Sequence, residues 1–479
     1  MQIPLVTRNL KTRSVNLTAE ERINLYPEAT GVDQFGNPSY SLIGTPGTSL
    51  FATLGNTPVR GMIRAANGTF VAVGGNTVYT IDTDGNTTSI GTIGTTNGVV
   101  RMADNGTQIV IADGNTVVYY TDLSSVAELT ELNTIISDNG YEGPQWVTSQ
   151  DGYIIVAFPN SDDFFISAVD NATSWSSLDY SSADGKPGYI VAVISHRDEL
   201  WFLKDNSYEI WYNSGNADFP FEKHQGAEGE IGCVAAGSVE RLGNSLFWLG
   251  ENEEGAGQAF MADGYNVTPI TDHGMSYVFN TFSTLTDATS WTYQQEGHSF
   301  YLLDFPIADQ SWAFDLTTGM RHRRGYLNAI TNNFERQRGH VQCHFNGKDY
   351  VGDYQTGQIF ELDLDTYTDN GQEIQRTVIL PHVKNGTKRL FIKSFQLEME
   401  TGVGLNTGQG SDPKAMLQFS TDRGHTFGNE HWADIGAMGK HNQRVKWWML
   451  GSVLDTWTPK IVISDPVKVV ISAAHIEGR

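Results

Sequence analysis

Short apolar strands alternate with turn residues along most of the chain. From Gly68, GTFVAVGGNTVYTID places a run of Phe and Val, a turn, and a second run of Val, Tyr and Ile. The figure recurs at Gly106 (GTQIVIADGNTVVYYTD), Gly152 (GYIIVAF), Asp198 (DELWFLKDNSYEIWY), Asn244 (NSLFWLG), Gly297 (GHSFYLLD) and Gly347 (GKDYVGDYQTGQIFELD). Apolar positions two apart over such runs predict half-buried strands. Successive first turns lie 38, 46, 46, 46, 53 and 50 residues apart, and Gly-Asn-Thr-Val repeats at Gly75 and Gly114, 39 residues apart. One hairpin cannot bury both of its faces, so units of this kind must stack. A period of roughly 40–50 residues with about four strands per unit predicts an all-β fold, a β-propeller of about seven blades. Six blades remain if the unit at Gly347 is a linker. A stacked sandwich of the same strands is the structural alternative.

The pattern changes at both ends. Residues 1–56 are turn-rich and read as an N-terminal arm, with one short helix expected over Thr18–Asn24, where Thr18 and Glu21 suit a capping box. The propeller is expected over 57–372. Beyond Asp369-Asn370-Gly371 the strands lengthen: Arg389–Glu400, Ala415–Ser420, Arg444–Leu450, Lys460–Ile463 and Val467–Ser472. Residues 373–479 therefore read as a separate C-terminal β-sandwich, with Gly402–Pro413 as a long loop.

Charge separates the same regions. The net charge is −24, yet from Arg376 onward 13 Lys/Arg face 9 Asp/Glu, while the preceding part holds 18 against 46. That gives +4 against −28. No Lys or Arg occurs between Arg101 and Lys186. Such a body repels nucleic acid. It serves either as a solvated face or as the wall of a DNA conduit to which the duplex does not stick. Two cysteines, Cys233 and Cys343, in 479 residues fit synthesis in a reducing cytoplasm. No apolar run is long enough to span a membrane, and the start, Met1-Gln2-Ile3-Pro4-Leu5, lacks a signal-peptide layout.

Local motifs are few. Ser420-Thr421-Asp422-Arg423-Gly424-His425-Thr426-Phe427 fits the S-x-D-x-G-x-T-[FW] pattern of an Asp box. Asp422 is expected to accept backbone hydrogen bonds, Gly424 to supply a positive φ, and Phe427 to start the returning strand. The box is a folding device, built from Ser420, Asp422, Gly424, Thr426 and Phe427. Thr83-Asp84-Gly85-Asn86-Thr87 is a loose echo with one residue fewer. Asp boxes also occur in propeller sialidases, so a carbohydrate-binding or glycan-cleaving propeller is the competing reading. That chemistry needs an arginine triad, which the stretch without Arg makes hard to assemble, and no catalytic residue is assigned. His340, Cys343 and His344 form H-x-x-C-H, but on a strand Cys343 points away from the two histidines, and an edge strand explains them better than a metal site. No cofactor fingerprint occurs. The knot Arg321-His322-Arg323-Arg324, with Arg336 and Arg338 nearby, is the basic cluster of the acidic body. Arg321, Arg323, Arg324, Arg444 and Lys446 are candidate interface residues. Trp432, Trp447 and Trp448 read as core or strand-pair aromatics of the sandwich.

The motifs at the two ends come in a fixed order. Ser420, Asp422, Gly424, Phe427 and Gly428 are followed by Arg444, Val445, Trp447, Leu450 and Gly451, then by Ser464, Asp465, Pro466, Val467 and Ile476. The opening carries Arg22-Ile23-Asn24-Leu25-Tyr26-Pro27-Glu28 and then Thr45-Pro46-Gly47. This series resembles the tail hub proteins of short-tailed bacteriophages, also called packaged-DNA stabilisation or head-closure proteins. The resemblance implies a structural virion protein without enzymatic activity, made in the host cytoplasm and built into the tail. It implies a homohexameric ring beneath the portal and its adaptor, extending the DNA channel and helping to retain the packaged genome. Tail needle and tailspike or tail fibre proteins would attach there. Duplex DNA would pass without specific binding, no membrane would be involved, and the isolated protein would be a monomer or weak oligomer.

Overall fold

A computed structural model describes residues 1–7, 13–32, 38–251, 255, 257–328, 330, 331 and 333–478. Seven four-stranded antiparallel sheets follow one another in it, over 59–92, 101–128, 146–182, 190–229, 240–269, 289–324 and 339–363. They are blades 1 to 7. The innermost strand of each of blades 1 to 3 touches that of the next, blades 5, 6 and 7 do the same, and blade 7 returns to blade 1. Blades 4 and 5 are joined by Arg241, which donates to the Ser195 carbonyl (3.0 Å), so the propeller is a closed ring.

Turn chemistry explains why the repeat was readable. Glu296-Gly297 and Asn346-Gly347 both take positive φ, at 46°, 86°, 49° and 76°, as a two-residue hairpin twisted like its strands requires. Arg197-Asp198 makes the same kind of turn in blade 4 without glycine, at 56° and 62°. Between blades the core is aromatic and aliphatic. Trp201, Trp248 and Trp312 are nearly or fully buried, and Phe164 lies 4.4 Å from Phe202 across the joint between blades 3 and 4. Two helices fill rim gaps that the strand pattern did not announce. Thr130–Asn139 buries Leu132, Ile135 and Ile136 and stops at the left-handed Gly140; His273–Phe279 is capped by Asp272. Neither is long and apolar enough to cross a membrane.

Blade 7 supplies only three of its strands from its own stretch. The fourth is Gly47–Thr53, which pairs with Gln358–Asp363 from Gln358↔Thr53 to Asp363↔Gly47. The ring is therefore closed by residues from the opposite end of the propeller sequence. Seven residues of the segment expected as an N-terminal arm become the outer blade strand, because the edge of Gln358–Asp363 would otherwise expose a row of unpaired backbone groups.

The rest of the N-terminus completes the second body. Val445–Val453, Leu390–Met399, Val470–Gly478, Pro38–Gly44 and Leu25–Val32 lie side by side in one sandwich sheet, and Gln2–Ile3 also pairs with Val470–Gly478. The facing sheet runs His431–Asp434, Lys414–Ser420, Thr456–Ile463, Arg376–Ile379 and Glu21–Ile23. Trp457, Phe395, Leu417 and Leu42 are buried between the two. The final strand begins later than the sequence pattern suggests, at Val470 rather than Val467.

No helix forms over Thr18–Asn24. Thr18 Oγ1 binds Glu20 (3.2 Å) instead of capping at Glu21, and Glu21–Ile23 is a strand. Its backbone groups find better partners in two neighbouring strands than a single helical turn could provide, since short helices are marginal on local interactions alone.

Gly47 opens the closing strand where a Cβ would lie 2.2 Å from the Thr366 carbonyl oxygen and 2.6 Å from that of Thr368. Both obstacles are backbone. Gly47→Ala is expected to lower stability by about 1–3 kcal/mol through overpacking. Chemical denaturation checks this, with protease cleavage in 47–57 as the sign that the ring has opened; an unchanged midpoint would mean the closing strand does not hold the blade.

Candidate assembly surfaces and the domain seam

The propeller and sandwich meet through a shared strand. Glu21–Ile23 pairs in parallel with Met320–Arg324 of blade 6 (Ile23↔Arg323) and antiparallel with Arg376–Ile379 of the sandwich (Glu21↔Ile379). Blade 6 and one sandwich sheet thus form one continuous ten-stranded sheet. Beside it, Asn24 is buried with φ 55°. Its side-chain amide donates to the carbonyls of Gly325 (2.9 Å) and Gln375 (3.0 Å), and its side-chain oxygen accepts from Gly325 N–H (3.0 Å). One residue joins the N-terminal segment, the end of blade 6 and the start of the sandwich.

The other residues of the opening motif work at the same seam. Arg22 is buried and donates to the Arg321 carbonyl; burial pulls its guanidinium down to about 10. Tyr26 packs edge-on to His298 and Phe300, at 5.1 and 5.5 Å. His298 is held between two carboxylates, Nε2 at 2.6 Å from Glu28 and Nδ1 at 2.8 Å from Asp315. Only a protonated imidazole donates to both. Burial opposes that charge, but the hydrogen bond to Glu28 and the charge of Asp315 outweigh it and leave His298 raised. The next histidine, His322, is fully buried beside Arg324 and Arg22 and is pushed well below the usual range, first by burial and then by those charges.

This geometry corrects the reading of the basic knot. Arg321, Arg323 and Arg324 do not face a partner. Arg321 is 8 % exposed and pairs with Asp272 (2.5 Å), Arg323 pairs with Glu21 (2.7 Å), and Arg324 is 7 % exposed and donates to the Tyr293 hydroxyl (3.0 Å). Their partners come from the helix cap, the shared strand and the opposite edge strand of blade 6. Sequence alone shows a cluster of positive charge but not its counterions, which lie 49 positions away at Asp272 and 302 positions away at Glu21. Arg338 pairs with the buried Asp353, and Arg336 lies over the Tyr354 ring at 3.5 Å.

Arg444 is exposed on the sandwich. Lys446 is half-buried, 3.8 Å from Glu477 and 4.0 Å over the Trp448 ring. Trp447 is core, stacked on Phe395 (5.7 Å) and donating to the His431 carbonyl (2.9 Å). Trp448 and Trp432 lie in strand pairs, opposite Ser394 and Met416, but outside the core, 57 % and 56 % exposed.

The Asp-box turn has the expected wiring. Asp422 accepts from the Ser420 hydroxyl (2.6 Å), the Thr426 N–H (2.9 Å) and the Thr426 hydroxyl (2.6 Å), which hold its carboxyl far below the ordinary range. Ser420 Oγ accepts from Gly424 N–H (2.8 Å), and Gly424 has φ 92°. Phe427 does not start the returning strand, which begins at His431; the residues between lie across the sheet, with Lys460 Nζ 5.3 Å from the Phe427 ring. Arg423 grips Asp455 through two nitrogens, at 2.8 and 2.5 Å. In the echo near Thr83, Asp82 rather than Asp84 is the acceptor, taking hydrogen bonds from the backbone of Asp84 and Asn86.

His340, Cys343 and His344 do not converge. A bulge between Gly339 and Val341 turns His340 towards the Val59 carbonyl (2.6 Å), while His344 binds Asp349 (2.9 Å). Burial lowers His340 to about 4 and raises the Cys343 thiol to about 12. Among the described residues no three His, Cys, Asp or Glu side chains are grouped to hold a metal. Cys233 and Cys343 are buried free thiols.

The propeller axis is spanned by side chains. Arg101 of blade 2 reaches Glu240 of blade 5 (3.0 Å) and the Gly237 carbonyl (3.1 Å), with Trp146 stacked 4.3 Å from its guanidinium. The cavity left there, bordered by Arg101, Glu240, Arg241 and His340, is about 260 Å³.

A family model described as bacteriophage P22 Gp10, beta-propeller, matches residues 1–367, and one described as bacteriophage P22 Gp10, beta-sandwich, matches residues 375–479. No curated protein matches significantly. Solved structures similar to the chain include the WD40 beta propeller domain of Doa1, at 10% identity over 66% of this chain and 97% of that one, with a TM-score of 0.40. They also include the N-terminal domain of Nup159, at 9% identity over 72% and 99%, with a TM-score of 0.41.

Two outcomes follow from the seam. Asn24→Ala leaves buried backbone groups of Gly325 and Gln375 without partners and is expected to cost on the order of 2–4 kcal/mol in urea unfolding. His298 carries a raised folded value, so its contribution is complete below the ordinary histidine value of about 6.5 and is lost as pH rises through the folded value. The stability gap between wild type and His298→Gln should therefore narrow on titration upward from pH 6; a constant gap would mean that the imidazole is not charged between Glu28 and Asp315.

Proposed function

The chain belongs to the bacteriophage P22 Gp10 family of phage structural proteins that stabilise packaged DNA, and from that premise we propose that it works as a tail hub. Six copies form a ring below the portal and adaptor, extend the DNA channel, and carry the tail needle and the tailspikes or fibres. The fusion of blade 6 to the sandwich through Glu21–Ile23 is the observation that best supports this role. A channel segment under the pressure of a packed genome must not flex at its domain joint, and here the joint is a continuous sheet with buried ion pairs beside it.

The DNA path runs between copies. Within one copy the axis is bridged by Arg101 and Glu240, and the remaining 260 Å³ is far too small for a duplex. The −28 charge before Arg376 favours a passage that DNA slides through without binding. Arg444 and Lys446 belong to the region of net positive charge, which is free to meet the acidic body of a neighbour.

Particles assembled without this protein should fill with DNA and then lose it, and adding the purified chain should restore retention. Nuclease sensitivity of the packaged genome measures this. Equal retention with and without the chain would remove the proposed role. Arg444→Glu combined with Lys446→Glu should weaken incorporation into particles most strongly at low salt.

A further inference from the structure

Two exposed apolar features stand at opposite ends of the molecule. Tyr26 and Ile43 of the sandwich strands pack against Phe300 of blade 6 and against Val351 and Phe360 of blade 7, and in a ring of seven the blade across the axis from that pair is blade 3. In the sandwich, Leu25–Val32 touches blade 6, and Val445–Val453 is the far edge of the same sheet. Four strand spacings separate them, roughly 19 Å at the usual inter-strand distance. The edge strand thus points away from its own propeller.

That edge carries a depression of about 700 Å³. Its shape comes from a bulge: Ile392 pairs with Gly451 but Ser394 pairs with Trp448, so Met449 and Leu450 together oppose Lys393. Met449 takes φ 53° and is 88 % exposed, and Phe391, which pairs with Ser452 and lines the same depression, is 55 % exposed. Lys393, held 2.5 Å from Glu477, stands between them.

Blade 3 presents the complementary shape. In its outer strand Asn171–Ser182, Trp175 pairs with Ser167 and Tyr180 with Phe165, leaving residues 176–179 opposite Ile166 alone. The excursion carries Leu178, 82 % exposed, next to Asp179, on a blade with no Lys or Arg. One end of the molecule is therefore an apolar knob in an acidic field, and the other an apolar hollow beside a lysine in the net-positive part of the chain.

We propose that Leu178 of one copy enters the hollow between Phe391 and Met449 of the next, with Asp179 facing Lys393. The partner of the sandwich edge is thus a second copy of this chain, joined head to tail. Contacts between two different patches close into rings when the rotation allows. The inference rests on the ring reading of the preceding subsection and names its contact.

Cysteine pairing tests it, because both native thiols are buried. Full-length Leu178→Cys and Met449→Cys proteins are mixed, allowed to assemble on connector-bearing particles, and oxidised. The expected product is a dimer containing one chain of each variant, and the double variant should give closed multimers. Same-variant dimers, capture of another virion protein by Met449→Cys, or no crosslink between thiols shown to be reactive would each overturn the proposal. Leu178→Asp should lower incorporation at least tenfold while the purified variant keeps the wild-type melting temperature. DNA retention is scored separately. Particles that keep their DNA with Leu178→Asp incorporated normally overturn the contact but leave the hub role standing. Particles that keep DNA with no chain present overturn the hub role itself.

Discussion

Three residues hold this architecture in one piece. Glu21, Arg22 and Ile23 form a strand short enough to look incidental, yet each side of it is hydrogen-bonded to a different body. Without the strand, blade 6 and the sandwich would each end in an open edge facing the other. With it, their backbones form one sheet, and the side chains that follow, Asn24, Tyr26 and Glu28, are delivered to Gly325, Phe300 and His298. The arginines nearby are tolerable because each finds a partner, and the same strand supplies Glu21 to Arg323. The joint is therefore hydrogen-bonded on both sides and lined by ion pairs.

Much of the propeller was readable because its signal is local. A hairpin needs positive φ within two residues, and Gly297 and Gly347 announce it. The Asp box is local too, with every partner of Asp422 within four residues. What the sequence concealed was long-range. Thr18 and Glu21 carry a helix signature, but the three-residue run after them is claimed by two distant strands, and tertiary pairing overrode propensity. The N-terminal motif was visible as a motif, while its work at the seam was not, because the groups it binds lie some three hundred positions away. The arginine knot misled because its partners, Asp272, Tyr293 and Glu21, are brought to it by the fold from 49, 31 and 302 positions away. Leu178 gave no signal at all, since a bulge is a property of pairing register and not of composition.

The charge asymmetry also looks different with the fold in hand. The basic residues of the acidic body are largely consumed internally. Lys204 is buried against Glu209 at 3.6 Å, Arg60 is spent on backbone carbonyls, and Arg101 bridges the axis. The pairs Lys204–Glu209 and Arg101–Glu240 each take an acid inside with the base, so the net charge stays as counted while fewer bases remain at the surface. In the sandwich, Arg444 remains outside, where it can act at a distance.

Closure of blade 7 by Gly47–Thr53 has a consequence for how the molecule comes into being. Thr48 and Asp369, hydrogen-bonded in the finished ring, are 321 positions apart. A ribosome releases the first strand long before its partner exists. Gln2–Ile3 waits longer still, for Val470–Gly478. Gly47–Thr53 must therefore wait for its partner while six complete blades and part of a seventh are made. Contacts of such separation slow folding and prolong the exposure of unpaired edges. Birth, rather than mature stability, is the hazardous stage for this chain, and the acidity of blades 1 to 5 would keep the waiting intermediates apart.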